Sequence, residues 1–261
     1  MIASLVRRIG RFLALLLLSF LALQLWFVLR IALMAVVDPQ STTFQRSEAW
    51  RLLLADRPMA WQQHWLAKEA ISSNLKRAVI ASEDAGFTEH SGVEWDALEK
   101  AWEKNARAEA VAERVNERVA RQDAARKTAT PPVATRVPKV IGGSTITQQL
   151  AKNLFLGGER NLLRKAQELV LAWELELLLG KQRILEIYLN SVEWGEGVFG
   201  ADAAAHRYFR VGARALSAGQ AAQLAVLLPA PKRFEKRPGS PYVVGRAATI
   251  AARMGSVELP R

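Results

Sequence analysis

Residues 162–179 read LLRKAQELVLAWELELLL, and this stretch decides the fold class. Leu163, Ala166, Leu169, Val170, Trp173 and Leu177 recur at steps of three and four, the period of an α-helix. The spacing predicts a helix with one apolar face turned into a core. Gly180 follows, and KQRILEIYLN (181–190) takes up the pattern again, so two helices separated by a glycine are expected. Toward the C-terminus, glycines at 195, 197 and 200 mark a loop, ADAAAHRYF (201–209) a further helix, and LSAGQAAQLAVLL (216–228) another that stops at Pro229. Toward the N-terminus, GGSTITQQLAKN (142–153) reads as a helix capped by Ser144 or Thr145. ISSNLKRAVIASE (71–83) and DALEKAWEKN (96–105) are helical as well. Residues 106–128 carry Ala, Arg and Glu on a thin apolar stripe, a solvated helix, followed by the linker TATPPVATRVP. No stretch alternates as half-buried strands do and no repeat is present, so the fold is mainly α.

The N-terminal 37 residues are of another kind. FLALLLLSFLALQLWFVL (12–29), Arg30 and IALMAVV (31–37) form an apolar run long enough to cross a hydrocarbon layer of ~30 Å as a helix. It exceeds the 7–15 apolar residues usual in a cleaved signal peptide, which favours a retained anchor. Arg7, Arg8 and Arg11 precede it, so residues 1–11 read as a cytoplasmic basic tail, 12–37 as the transmembrane helix, and the remainder as lying beyond the membrane. Arg30 can snorkel to the far interface. Residues 38–71 read as a membrane-proximal segment whose Trp50, Trp61 and Trp65 suit either an interface or a core. Residues 72–240 read as the catalytic domain, with a charged insertion at about 106–138, and 241–261 as a C-terminal tail.

A chain of 261 residues, half of them hydrophobic, holds one substantial core besides its anchor. The net charge of +11 calls for an anionic partner: lipid headgroups, a phosphorylated substrate or nucleic acid. With no cysteine, disulfides and thiolate metal sites are excluded.

Three constellations can carry chemistry. Glu83 and Asp84 end an apolar helix just before a glycine turn, and a carboxylate beside apolar Ala81 and Phe87 gains proton affinity by desolvation, as a general base near neutral pH requires. Taken alone, such a pair is more often a solvated helix end. In GGSTITQQLAKN, glycines and a cap leave helix N–H groups to face an anion, with Lys152 two turns further on. In RNLLRKAQELVLAWELE, Arg164 and Glu168 share a helix face, an ordinary ion pair unless Arg160, Arg164 and Lys165 hold a leaving pyrophosphate beside a second carboxylate. Two other patterns mislead. Gly195, Gly197 and Gly200 match G-x-G-x-x-G but follow a helix and lack the acidic ribose ligand. Ser73 to Lys76 match S-x-x-K without S-D-N or K-T-G. His64, His90 and His206 lack a metal-ligand spacing.

In order and wording, NLKRAVIASEDAGFTEHSG, GGSTITQQLAKNLFL, RKAQELVLAWELE, ILEIYLNSVEWGEGVFGADAAAHRYF and LSAGQAAQLAVLLPAPKRF resemble the family 51 glycosyltransferases, in particular the monofunctional biosynthetic peptidoglycan glycosyltransferases, over roughly residues 72–235. The resemblance implies a mainly α, lysozyme-like two-lobed domain acting on lipid II. It implies that Glu83 is the general base toward the 4-hydroxyl of the incoming N-acetylglucosamine and Glu168 the second essential glutamate. Lys152 and Arg160 would stabilise the pyrophosphate with support from Arg164 and Lys165. Ser144, Thr145, Gln148 and Gln149 would line the cleft, and Asp84, Phe87 and His90 would support it. Inverting transfer would give β-1,4 links and release undecaprenyl pyrophosphate. No cofactor is required by that chemistry, and a divalent cation (Mg or Mn) would enter with the substrate pyrophosphate. The implied partners are lipid II, the growing glycan strand, the membrane and cell-division or elongation proteins, with no nucleic acid; the implied location is the outer, periplasmic side of the bacterial inner membrane, single-pass. The charged insertion is longer than this connection usually is in the family. The competing readings are a lysozyme-like lytic enzyme, which the cations Lys152 and Arg160 disfavour, and a silent membrane scaffold of cell-wall assembly, which retention of both Glu83 and Glu168 disfavours.

Overall fold

A computed structural model describes residues 2–55, 61–125, 143–159 and 161–261. Its chain divides into two units, Met1–Val93 with Thr145–Arg261, and Glu94–Ser144.

The first unit opens on helix α1 (Ile2–Leu33). Its segment Ser4–Leu33 is apolar over 30 residues, a rise of about 45 Å, long enough to cross a bilayer. The large apolar side chains from Leu5 to Leu25 are exposed, whereas Phe27, Ile31 and Met34 are buried. The basic residues expected to form a separate tail continue the same helix. Helix α2 (Thr43–Leu54) follows, where no helix was expected; Thr42 caps it, accepting from Gln45 N at 3.0 Å while its own N–H donates to the Gln45 side chain at 2.8 Å. This reciprocal cap buries Thr42 and Gln45, so the segment read as membrane-proximal belongs to the folded unit. Strand β1 (Gln62–Gln63) comes next, then α3 (Ser73–Glu83), capped by Ser72.

The second unit carries α4 (Trp95–Ala125), one continuous helix in place of the two pieces expected. Glu103 with Arg107 and Glu117 with Arg121 form exposed ion pairs one turn apart, the solvated character read from composition. The linker that follows, residues 128–138, lies outside the described residues.

In the first unit, α5 (Ile146–Phe155) is capped by Thr145 in a capping box with Gln148. Helix α6 (Leu162–Ser191) breaks at Gly180, whose φ of 69° and ψ of 164° suit glycine alone. Strands β2 (Glu193–Gly195) and β3 (Val198–Phe199) form a bulged antiparallel pair, and β3 also pairs in parallel with β1, giving the order β1-β3-β2. Strands of two or three residues leave no alternation to read. Gly200 then turns into α7 (Ala201–Phe209) at φ 82°, where a Cβ would stand 2.8 Å from the Asn190 carbonyl oxygen. Helices α8 (Ala218–Leu227), α9 (Pro231–Phe234) and α10 (Pro241–Arg253) complete the unit.

The core joins Leu75, Ile80 and Phe87 to Ile146, Leu150, Leu171, Leu175, Ile184, Tyr188 and Trp194. Residues 241–261, read as a tail, add Val243, Ala247, Ile250, Met254 and Val257 to it. A larger correction concerns α6. Leu163, Val170, Trp173 and Leu177, expected to be buried, are 85%, 43%, 58% and 67% exposed, and the buried face is instead Glu168, Leu171, Ala172 and Leu175. Periodicity identifies an apolar stripe but not what covers it. Of the three tryptophans that follow α1, Trp50 is exposed, Trp61 lies 4.5 Å from the Phe199 ring, and Trp65 packs on the core.

Polar contacts tie α1 to the rest of this unit. Gln24 and Gln167 exchange amide hydrogen bonds at 3.1 Å in both directions between α1 and α6. The Arg183 guanidinium donates to the Met34 carbonyl at 2.8 Å, Asp38 at 2.7 Å and Glu186 at 2.8 Å.

Candidate active site

Helix α3 ends at Glu83, and the next residue fixes the surroundings. Asp84 is buried; its Oδ2 accepts from Ile146 N at the start of α5 at 2.9 Å, and its Oδ1 pairs with His90 Nε2 at 2.8 Å. His90 Nδ1 accepts from Gly92 N at 3.2 Å, which assigns the ring proton to Nε2 and makes the imidazole a donor toward Asp84. A carboxylate on the first N–H groups of a helix also suits the helix dipole. Thr145 closes the corner by donating to the Gly92 carbonyl at 2.6 Å. Asp84, His90, Thr145 and, through the capping box, Gln148 therefore form a clamp between the end of α3 and the start of α5.

Glu83 lies beside this clamp. Burial raises its proton affinity above the ordinary glutamate value, and a hydrogen bond from Gln149 Nε2 to its Oε2 at 3.0 Å works against that. Tyr188, fully buried on α6, donates its hydroxyl to Gln149 Oε1 at 2.9 Å. The Tyr188 hydroxyl is itself pushed well up by burial, so it remains a donor. Gln149 is thus held with its NH2 toward Glu83. Lys152 is three residues further along α5 on the face that carries Gln149, and it is exposed.

Phe87 is buried, with the Lys181 ammonium 4.5 Å from its ring centroid. Lys181 also pairs with Glu176 at 2.7 Å, and Thr147 donates to the same Glu176 oxygen at 2.6 Å. This braces α5 against α6.

The second cluster lies near the start of α6. Glu168 is buried, and both carboxylate oxygens are engaged: Arg164 Nη1 at 3.0 Å and Lys165 Nζ at 2.5 Å. Helical spacing of three and four residues puts both cations on it. Arg160 lies outside the described residues, and Ser144 belongs to the second unit. Of the other residues expected from sequence, Asp84, His90, Thr145, Gln148 and Gln149 gather around the end of α3 and the start of α5, Arg164 and Lys165 around Glu168, Phe87 is buried against Lys181, and Lys152 stands exposed on α5.

Three participants escaped the sequence. Tyr188 lies in ILEIYLN, a stretch already noted but given no role. Ser82 hydrogen-bonds Glu83, and Arg246 on α10 exerts a favourable charge on it; Arg246 lies in the supposed tail, where local pattern gave no signal.

The arrangement supplies a desolvated carboxylate with a positioned amide at the end of α3, and a second carboxylate with two cations on α6, the helix that packs against α5. The transglycosylase family model matches residues 53–113 and 124–255. A protein of Burkholderia thailandensis named biosynthetic peptidoglycan transglycosylase is 50% identical over 242 residues, covering 93% of this chain and 84% of that protein. One of the same name from Paraburkholderia xenovorans is 48% identical over 243 residues, with 93% and 89% covered. The match runs through both clusters, and the chain belongs to the transglycosylase family.

Proposed function

We propose that the chain polymerises lipid II into β-1,4-linked glycan strands on the outer side of the bacterial inner membrane. The observation that carries this reading is Glu83, a carboxylate whose proton affinity is raised by burial and whose geometry is set by Gln149. Glu83 takes the proton from the 4-hydroxyl of the acceptor N-acetylglucosamine as that oxygen attacks the anomeric carbon of the chain's muramyl end. The α-linked pyrophosphate leaves from the opposite face, so configuration inverts. Its charge is met by Lys152, Arg160, Arg164 and Lys165, since fixed cations lower the barrier for an anionic leaving group. Glu168 orients Arg164 and Lys165, which it binds directly. With both oxygens of Glu168 so occupied, a divalent cation enters on the substrate diphosphate rather than on this residue.

Helices α1 and α6 support this location. Arg7, Arg8 and Arg11 keep the N-terminus cytoplasmic, and the exposed stripe of Leu163, Val170, Trp173 and Leu177 suits a surface seated on lipid. The partners are therefore lipid II, the glycan strand and the bilayer, with division or elongation proteins reached through the anchor and no role for nucleic acid.

The test is lipid II polymerisation by the native protein and by Glu83→Gln, which is expected to be at least about a hundredfold slower. A near-native rate in that variant overturns the assignment of the base.

A further inference from the structure

A pocket of about 220 Å³ opens where α1 ends. Arg30, Leu33, Val37, Asp38, Ser41 and Arg46 line it. Asp38 is already engaged by Arg183 at 2.7 Å. Among the described residues neither Arg30 nor Arg46 has a carboxylate partner. Arg30 lies over the Trp26 ring at 5.7 Å, a pairing suited to a membrane interface. Arg46 is held by neutral groups: its Nη1 donates to the Ser41 carbonyl at 3.3 Å and to Ser41 Oγ at 3.1 Å, and its Nη2 to Thr43 Oγ1 at 3.0 Å. These bonds orient the guanidinium without neutralising it, and they leave its Nε–H and one Nη2–H for a ligand.

Two oriented cations in one small opening call for an anion, and the guanidinium fork matches phosphate oxygens in particular. The remaining wall is apolar. Leu33 and Val37 are about half exposed, and Leu29 and Val36 beside them are exposed as well, so the opening runs on into the bare surface of α1. A ligand with an anionic head and hydrocarbon tails satisfies both parts at once, whereas free phosphate leaves the apolar wall uncovered.

We propose that this pocket binds the phosphate headgroup of an anionic glycerophospholipid, whose acyl chains lie along the exposed side of α1. The site shares no residue with the Glu83 and Glu168 clusters. It rests on the reading of α1 as a membrane span and not on the catalytic assignment. The bound lipid fixes how deep the helix end sits, and with it the height of α2 and of the Arg183 contacts to Met34 and Asp38.

The experiment uses the full chain in phosphatidylcholine vesicles doped with photoactivatable phosphatidylglycerol, with labelled peptides mapped by mass spectrometry. Labelling within residues 30–46 is expected. It should fall at least about tenfold in Arg30→Gln/Arg46→Gln, since each basic residue adds appreciably to binding at an anionic surface. It should persist in Arg7→Gln/Arg8→Gln/Arg11→Gln, which removes the cations at the other end of the helix. Vesicle flotation reports separately whether α1 inserts. Equal labelling by a photoactivatable phosphatidylcholine overturns the proposal using native protein alone. Retained labelling in the Arg30/Arg46 variant also overturns it, as does competition by a polyprenyl diphosphate but not by unlabelled phosphatidylglycerol, which would make the pocket a substrate site.

Discussion

The Tyr188 hydroxyl donates to Gln149 Oε1 at 2.9 Å, and Gln149 Nε2 donates to Glu83 Oε2 at 3.0 Å. An amide can turn either end toward a neighbour, and only one end assists a carboxylate. A phenol that burial keeps protonated removes the choice. Tyr188 is therefore a positioning residue for Glu83, acting through Gln149.

Tyr188→Phe should leave the aromatic packing in place and free the Gln149 amide to turn. Loss of the stabilising hydrogen bond raises the Glu83 proton affinity further, so the acidic limb of the polymerisation pH profile should move to higher pH. Below that limb the rate should fall about tenfold, matching about 1.4 kcal/mol lost from the ionised form. Gln149→Ala should shift the limb in the same direction. A drop in rate with an unmoved limb would mean that Tyr188 contributes packing alone.

Glu168, Arg164 and Lys165 permit a test that separates stability from chemistry. Glu168 is only 3% exposed, so removing one cation leaves a buried carboxylate less compensated. Arg164→Met should cost about 1–3 kcal/mol by denaturant unfolding. Adding Glu168→Gln to that variant should recover part of the loss, since the uncompensated charge is gone. Activity should not recover if Glu168 is needed for polymerisation. Additive destabilisation in the double variant would show that the pair is not coupled as the 3.0 Å contact requires.

The contrast between α5 and α6 shows what a sequence can disclose. The cap of α5 was legible to within one residue, Ser144 or Thr145, and the structure places it on Thr145, with Gln148 at the spacing that a capping box needs. The break at Gly180 was legible because only glycine reaches that φ readily. Glu83 and Glu168 could be named from the sequence, but the link from Glu83 to Tyr188 spans about a hundred positions and no local pattern announces it. The same holds for α10, whose Val243, Ala247 and Ile250 fill the core although the stretch reads as a tail. The facing of α6 was misread for a different reason. An apolar stripe that faces outward and one that faces protein have the same composition, and the inward side carries Glu168, which a hydrophobic criterion turns outward.

The outward stripe of α6 should matter at a bilayer and not to folding. Trp173→Ser/Leu177→Ser should change stability in detergent by no more than about 0.5 kcal/mol, as for surface positions. In vesicles the same variant should polymerise at least about threefold more slowly, because each methylene buried in lipid contributes ~0.8 kcal/mol to seating. Equal rates in both settings would remove the membrane role of this face.

Glu193 sets a pH dependence that has nothing to do with the two clusters. It is buried on β2, and burial pushes its carboxyl up to about 7 even though Lys232 lies 3.5 Å away. Lys232 is shared with Glu48, which also pairs with Arg51 at 2.8 Å, so Glu193 has only part of a cation. Between the ordinary value of 4.5 and about 7, the folded protein holds a proton here that the unfolded chain has released. Stability from this residue should therefore decline as pH rises through that window, by up to about 3 kcal/mol at about 1.4 kcal/mol per unit, and stay level above it. Glu193→Gln removes the ionisation while keeping the shape. Relative to native protein it should gain little at pH 4.5 and most at pH 8, measured as the denaturation midpoint at each pH. An equal effect at both ends would assign the residue a packing role and leave its ionisation without consequence.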